Sequence, residues 1–395
     1  MIKTYFLLLF SLIVSYSYSQ EIFTLNQGGT DQKAYFSEVN YESVRDKIIV
    51  KAIINGKNYR FIVDTGAPNM ITKKVFEALN PTILKKIPIA DANNKTDSLT
   101  VVLLSEIKLG NVTFNNIPTL VAEDTFIFDC HEVDGFIGSN MLRNTIVRFS
   151  SKDHKIILTD ETIQLPLNKN QRSDLILTPA QSSPFLTTTV KGKGKGKIEL
   201  LFDTGMEGMF DLALKHYAIL EKENIFDELA KSNGQGLLGL NGLGNDTIQH
   251  LLRVPELTIN GTLFKNVSIQ TTPNLNSRIG ANLLKYGIVT VDYKNKKFYF
   301  EPFDTTVDLL EKHFPITISI KKNKAVIGTV WDEKLKDEIS QGDELLAVDD
   351  MNYEDINPCD LITKTKILEG KTQVTLTLKN SKGLLKKIFI SKSIQ

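Results

Sequence analysis

Phe61-Ile62-Val63-Asp64-Thr65-Gly66-Ala67 and Leu200-Leu201-Phe202-Asp203-Thr204-Gly205-Met206 are two versions of one local design, an apolar strand ending in Asp-Thr-Gly. Their surroundings repeat too. In the first half Lys47–Ile54 alternates like a strand, Asn55-Gly56 has the composition of a two-residue hairpin turn, and Tyr59 to Val63 returns. In the second half Phe185 to Val190 is the outgoing strand, the Gly-Lys run at 191–197 the turn, and Ile198 to Phe202 the return. Met70-Ile71 and Met209-Phe210 follow the two triplets at equal distance.

Two further blocks recur in the same order. Phe114-Asn115-Asn116-Ile117 corresponds to Phe264-Lys265-Asn266-Val267, each after a strand-like run and a glycine-containing turn. Ile137 to Leu158 corresponds to Ile279 to Phe300, with eight of 22 positions identical and no gap. Unrelated sequences of this composition would share roughly one or two. The chain is therefore duplicated internally. Short strands, frequent turns and brief helical stretches near 73–79, 211–222 and 281–285 predict two similar, mainly β lobes at 20–165 and 166–303. They join through a polar, Pro166-containing linker around 164–173.

Two flanking segments follow other rules. Lys3, the apolar run Phe6 to Val14 and the small residues around Ser17 and Ser19 predict a signal peptide over 1–19, with an uncleaved anchor as the alternative. The mature chain is then exported, to the periplasm or outside the cell. No other run is long enough to span a membrane. From 304 to 395 the grammar changes: strands at 316–321 and 325–331, a Gly342-Asp343 turn entering an apolar strand, a helix near 358–368, and strands at 372–379 and 384–391.

Composition narrows the function. Apolar residues make up 42% and charged residues 24%, ordinary globular usage. Lys and Arg total 47 against 46 Asp and Glu, so no basic field points to nucleic acid. Cys130 and Cys359 are too few for a disulfide framework or a cysteine zinc cluster, and their separation suggests that core packing supplies the stability. Cys130-His131 reads as a partly buried turn. The five histidines show no metal-binding spacing, and no Gly-x-Ser-x-Gly elbow occurs. Gly234-Gln235-Gly236-Leu237-Leu238-Gly239 fits a dinucleotide pattern but joins no parallel strand to a helix. Lys191 to Lys197 reads as a solvated turn.

The duplicated triplets carry the chemistry. Each lobe delivers one carboxylate at a strand end, and a twofold relation would bring Asp64 and Asp203 together. Two adjacent carboxylates share one proton. The ionised member can take a proton from water while the protonated member polarises a scissile carbonyl, which calls for no metal, cofactor or covalent intermediate.

These motifs resemble the aspartic protease family, in particular its retropepsin-like branch. Phe61 to Ala67 matches the first catalytic element and Phe136-Ile137-Gly138 its supporting element; Leu200 to Gly205 and Arg278-Ile279-Gly280 match the second pair. The resemblance implies that Asp64 and Asp203 are catalytic. It further implies that Thr65, Gly66, Thr204 and Gly205 support the loops, the threonines cross-bracing them by hydrogen bonds. Arg278 stands where an apolar residue is expected, which questions how tightly the second loop is packed. By position, Ile89 to Leu99 and Gly234 to Asn245 would be flaps over the cleft. Ala67 and Met206 replace the hydroxyl residues that pepsin-like members place after the triplets. Both carboxyls should therefore hold protons more tightly, with an optimum in the mildly acidic to near-neutral range.

Residues 315–395 resemble a PDZ domain, although Asn323 to Gly328 departs from the loop that captures a terminal carboxylate. The strand near Ala325 to Val330 is then the edge for strand addition by a peptide; a small α+β packing domain is the alternative. The whole is similar to exported bacterial aspartyl proteases with a PDZ-like domain: a monomeric endopeptidase acting on polypeptide. A rival from another class is a non-catalytic peptide-binding scaffold on the same fold.

Overall fold

The computed structural model describes residues 23–91, 96–234, 238–239, 242–364 and 366–394. The expected signal peptide lies outside the described residues. The chain is mainly β and bilobal. In the first lobe Lys47–Ile54 and Lys57–Asp64 form the expected hairpin, Asn55 and Gly56 taking the positive φ values, 50° and 74°, of its tight turn. Lys57–Asp64 then runs parallel to Gly135–Gly138, pairing Asp64 with Gly138. In the second lobe Lys195–Asp203 runs parallel to Arg278–Gly280, pairing Asp203 with Gly280. Each aspartate thus ends the corresponding strand of its own lobe's sheet.

The lobes share one sheet. Phe36–Asn40 pairs with Lys155–Thr159, which pairs with Ile146–Ser150. Ile146–Ser150 crosses to Gly287–Asp292 of the second lobe, followed by Lys297–Pro302 and Arg172–Leu177. Arg172–Leu177 begins inside the stretch read as linker. One apolar cluster runs through both lobes, with Val63, Phe149, Phe202, Val291 and Phe298 among its buried members. A rigid shared core fixes how the two strand ends meet.

The C-terminal unit has a separate core, including Phe314, Ile327, Leu345, Leu376 and Ile388. Its helix, Pro358–Thr363, starts on an Asn357 cap with proline in the first turn and ends well before 368. Lys324–Val330 is not a free edge. It pairs with Ile316–Lys321, meets Glu344–Val348, and bridges through Thr329 to Gly234 of the second lobe. Ile316–Lys321 instead carries no ladder on its outer side among the described residues.

The two cysteines correct the sequence reading outright. Cys130 and Cys359 form a disulfide across a separation of 229 residues. It ties the helix Phe126–His131 of the first lobe to the helix of the C-terminal unit. Cys130 and His131 are therefore buried helical residues rather than a turn. Closing so long a loop restricts the unfolded chain, so Cys130→Ser with Cys359→Ser should cost about 2–5 kcal/mol. Chemical denaturation with and without reductant checks this: wild type should lose stability on reduction, the double variant should not respond.

Candidate active site

The two Asp-Thr-Gly loops meet back to back. The Thr65 amide donates to Thr204 Oγ1 at 3.1 Å, and the Thr204 amide donates to Thr65 Oγ1 at 3.0 Å. Each hydroxyl then donates across the divide, Thr204 to the Val63 carbonyl at 2.7 Å and Thr65 to the Phe202 carbonyl. Both threonines are fully buried, so six polar groups that water cannot reach satisfy one another through four hydrogen bonds. Only a hydroxyl both accepts and donates at this size, which is why threonine occupies both positions.

The glycines set the separation of the carboxylates. A Cβ on Gly205 would lie 2.2 Å from Asp64 Oδ2, and one on Gly66 would lie 2.6 Å from Asp203 Cγ. Each glycine thus packs on the other lobe's carboxylate. The loop amides turn inward: Gly66 and Ala67 donate to Asp64 Oδ1 at 2.9 and 3.0 Å, and Gly205 donates to Asp203 Oδ1 at 2.9 Å. Burial first, and then the charge of Asp203, push Asp64 up to about 7, against the opposing pull of Lys47 and the two amides. Ser139 donates to the Thr65 carbonyl at 2.6 Å and meets the Tyr293 hydroxyl at 2.8 Å, bracing the first loop from behind.

The second loop is held differently. Arg278 is buried, not misplaced: its Nε donates to Asp211 Oδ1 and Oδ2 at 3.2 and 3.0 Å, its Nη2 to Asp211, and its Nη1 to Asp203 Oδ2 at 3.1 Å. The arginine therefore tightens the loop it was expected to loosen. It also separates the two aspartates, since Asp203 receives a guanidinium donor although neither Ala67 nor Met206 supplies one. Burial opposes the charge on Arg278, but Asp211 and Asp203 outweigh it and raise the proton affinity of Arg278 above the usual value.

The ladders also revise the alignment of the halves. Met70 faces Phe136 and Leu120, whereas Asp211 faces Arg278 and Gln270. Thr72 and Ala213 precede the corresponding helices Lys73–Leu79 and Leu214–Leu220. Asp211-Leu212, not Met209-Phe210, is the counterpart of Met70-Ile71. The second loop is longer and turns through Gly208 at φ 88°.

An open cleft of about 1590 Å³ runs past both aspartates. Ile89, Ala90 and Asp91 line it from the hairpin of Thr82–Ala90 and Thr96–Leu109, where the first flap was expected. Residues 92–95 of that stretch lie outside the described residues, as do the side chains of 235–243 in the second. His131 reaches the cleft as well. Burial, with Lys47 and Arg45 nearby, pushes it down to about 4, so it stands there neutral. The C-terminal unit supplies another wall through Thr317, Ile320, Leu361 and Leu368. The sequence reading did not pair Arg278 with Asp211 or foresee this wall, and it set Cys130-His131 aside as a turn rather than placing His131 at the cleft. The first left a trace in the sequence, a charge inside an apolar motif.

Residues 50–141 match the family model described as aspartyl protease. The match includes Asp64-Thr65-Gly66 and stops before the second lobe. No curated protein matches the chain. Among solved structures, the crystal structure of aspartic proteinase from Irpex lacteus is similar at 14% identity with a TM-score of 0.43, over 68% of this chain and 97% of that one. The protease-like lobe and its duplicate depend on the buried threonine bonds. Thr204→Val leaves the Thr65 amide and Val63 carbonyl unpaired, each at about 1–3 kcal/mol. Its unfolding free energy should fall by roughly 2–6 kcal/mol, whereas Thr204→Ser, which loses one buried methyl, should lose about 1. Urea titration of both variants checks the difference.

Proposed function

We propose that this chain is an exported aspartic endopeptidase that hydrolyses peptide bonds with a water activated between Asp64 and Asp203. The observation that carries the reading is the reciprocal contact of the two loops, in which each glycine lies against the opposite carboxylate. One proton is then shared in a partly dry site, the state in which one carboxylate is a base and the other an acid. The ionised carboxylate takes a proton from water as its oxygen attacks the scissile carbonyl carbon. The protonated carboxyl gives its proton to the carbonyl oxygen, leaving a gem-diol. As the C–N bond breaks, the first carboxyl protonates the amine nitrogen and the second recovers a proton from a diol hydroxyl. Both return to their starting states, and one water is consumed.

Export is supported by the apolar start of the sequence and by the Cys130–Cys359 disulfide, a bond that persists in oxidising compartments. A PDZ-like role for the C-terminal unit is supported by the unladdered side of Ile316–Lys321 beside the cleft, where a polypeptide could add as a strand. The scaffold reading gains nothing from the site, because both carboxylates and both threonine bonds are present.

Asp64→Asn and Asp203→Asn should each lower peptide turnover by at least about 100-fold, since a pair with one ionisable carboxyl lacks either acid or base. A statine-containing peptide should compete with substrate. Retention of most activity by either variant contradicts the mechanism. In the same assay a long polypeptide should show a lower KM than a short peptide confined to the dyad; equal values would remove the C-terminal unit from substrate binding.

A further inference from the structure

We propose that Arg278, clasped by Asp211 and reaching Asp203, is a positioning residue that makes the dyad permanently unequal, keeping Asp203 as the proton acceptor and confining the shared proton to Asp64. This rests on reading the two aspartates as a catalytic pair, and it assigns to each a role that the symmetry of the motif leaves open.

The duplication supplies an internal control. At one ladder position the first lobe places Met70 against Phe136, both apolar, behind Asp64. At the equivalent position the second lobe places Asp211 against Arg278, behind Asp203. The two halves thus differ by the replacement of an apolar pair with an ion pair. Stability does not explain the exchange. Asp203, Asp211 and Arg278 are 7%, 6% and 8% exposed, and a buried ion pair is commonly no more stable than apolar residues of similar volume.

The geometry divides the work of the guanidinium. Nε and Nη2 grip Asp211, which fixes the plane of the fork, and Nη1 is left to point at Asp203 Oδ2. A guanidinium does not give up its proton, so the donor is present at every working pH. Asp211 balances the charge of Arg278, so the trio keeps the net charge that Asp203 alone would have. The arginine therefore biases one carboxylate without making the site basic.

Other charged groups face the dyad without reproducing this contact. Lys47, from Lys47–Ile54, donates to the Gly205 carbonyl and pulls Asp64 downward. Arg45 bonds the Leu361 carbonyl at 2.6 Å and Glu207 at 3.4 Å. His131 stands neutral on the helix Phe126–His131, and Tyr293, wholly buried against Ser139, is held in its phenol form. Despite the pull of Lys47, burial and the charge of Asp203 keep Asp64 near 7. The guanidinium donates to Asp203 Oδ2, which leaves Asp64 as the seat of the proton.

Activity requires Asp203 ionised and Asp64 protonated. It should fall on the alkaline side as Asp64 loses its proton around 7, and on the acid side as the dyad as a pair takes up its second proton. Replacing the ion pair by its first-lobe counterpart, Asp211→Met with Arg278→Phe, leaves net charge unchanged and removes the guanidinium. The acid limb of kcat/KM should then move up by about 1–3 pH units, the usual effect of a cation on a neighbouring carboxyl, whereas Arg278→Lys alone, which keeps a cation beside Asp211, should leave the limb closer to that of wild type. An acid limb within about 0.3 units of wild type overturns the proposal.

A second measurement needs no activity and leaves Asp211 and Arg278 in place. Carbon-13 titration of the aspartate carboxyls in the wild-type protein, assigned with Asp64→Asn and Asp203→Asn, should show Asp64 taking the first proton as pH falls while Asp203 stays ionised. The reverse order overturns the proposal. If no peptide is cleaved at any pH, the functional reading fails while this titration still decides the role of Arg278.

Discussion

The exchange of hydrogen bonds between Thr65 and Thr204 is the constraint on which the remaining geometry depends. It joins two loops that lie 139 residues apart in sequence and buries every polar group involved. Because each hydroxyl both accepts and donates, the arrangement is satisfied only when the two strand ends face each other in one register. Gly66 and Gly205 are then brought against the opposite carboxylates, and no larger residue fits. The shared sheet and the common apolar cluster hold the lobes in that relation. Proton sharing between Asp64 and Asp203 is thus a consequence of how the backbone is tied.

A duplicated fold gives two similar halves, and the chemistry of peptide hydrolysis asks for two different carboxyl groups. Substrate binding alone can impose that difference. Here a difference already exists in the protein: the first loop is backed by Ser139, Tyr293, Met70 and Phe136, the second by an arginine between two aspartates. A cost in desolvation is accepted at the second loop, of the kind expected where function rather than stability selects the residues.

Much of this was legible in the sequence, and the limits follow from the physics. The hairpins, the strand ends carrying Asp64 and Asp203, and the bilobal β fold are local or repeated signals, which alternation and turn chemistry expose. Arg278 was visible only as an oddity, because its partner Asp211 is 67 residues away and no periodicity links them. The two-residue difference between the loops hid that partner, since counting from each triplet aligned Met70 with the wrong neighbour. The disulfide was missed for a related reason: two cysteines carry no pattern, and their proximity is a product of the whole fold. The reading of Ala325 to Val330 as an edge failed because strand order is set by tertiary packing: the strand meets Ile316–Lys321 and Glu344–Val348 of its own unit, and Gly234 of the second lobe bridges to Thr329.

The account stands on two carboxylates acting on one atom. The most direct measurement is an experimental structure of the full chain with a statine-containing peptide, whose central hydroxyl stands in for the attacking water. The hydroxyl should sit between Asp64 and Asp203 at hydrogen-bond distance, about 3 Å, from both. A hydroxyl held by one carboxylate alone, or a peptide bound away from the pair, would contradict the account.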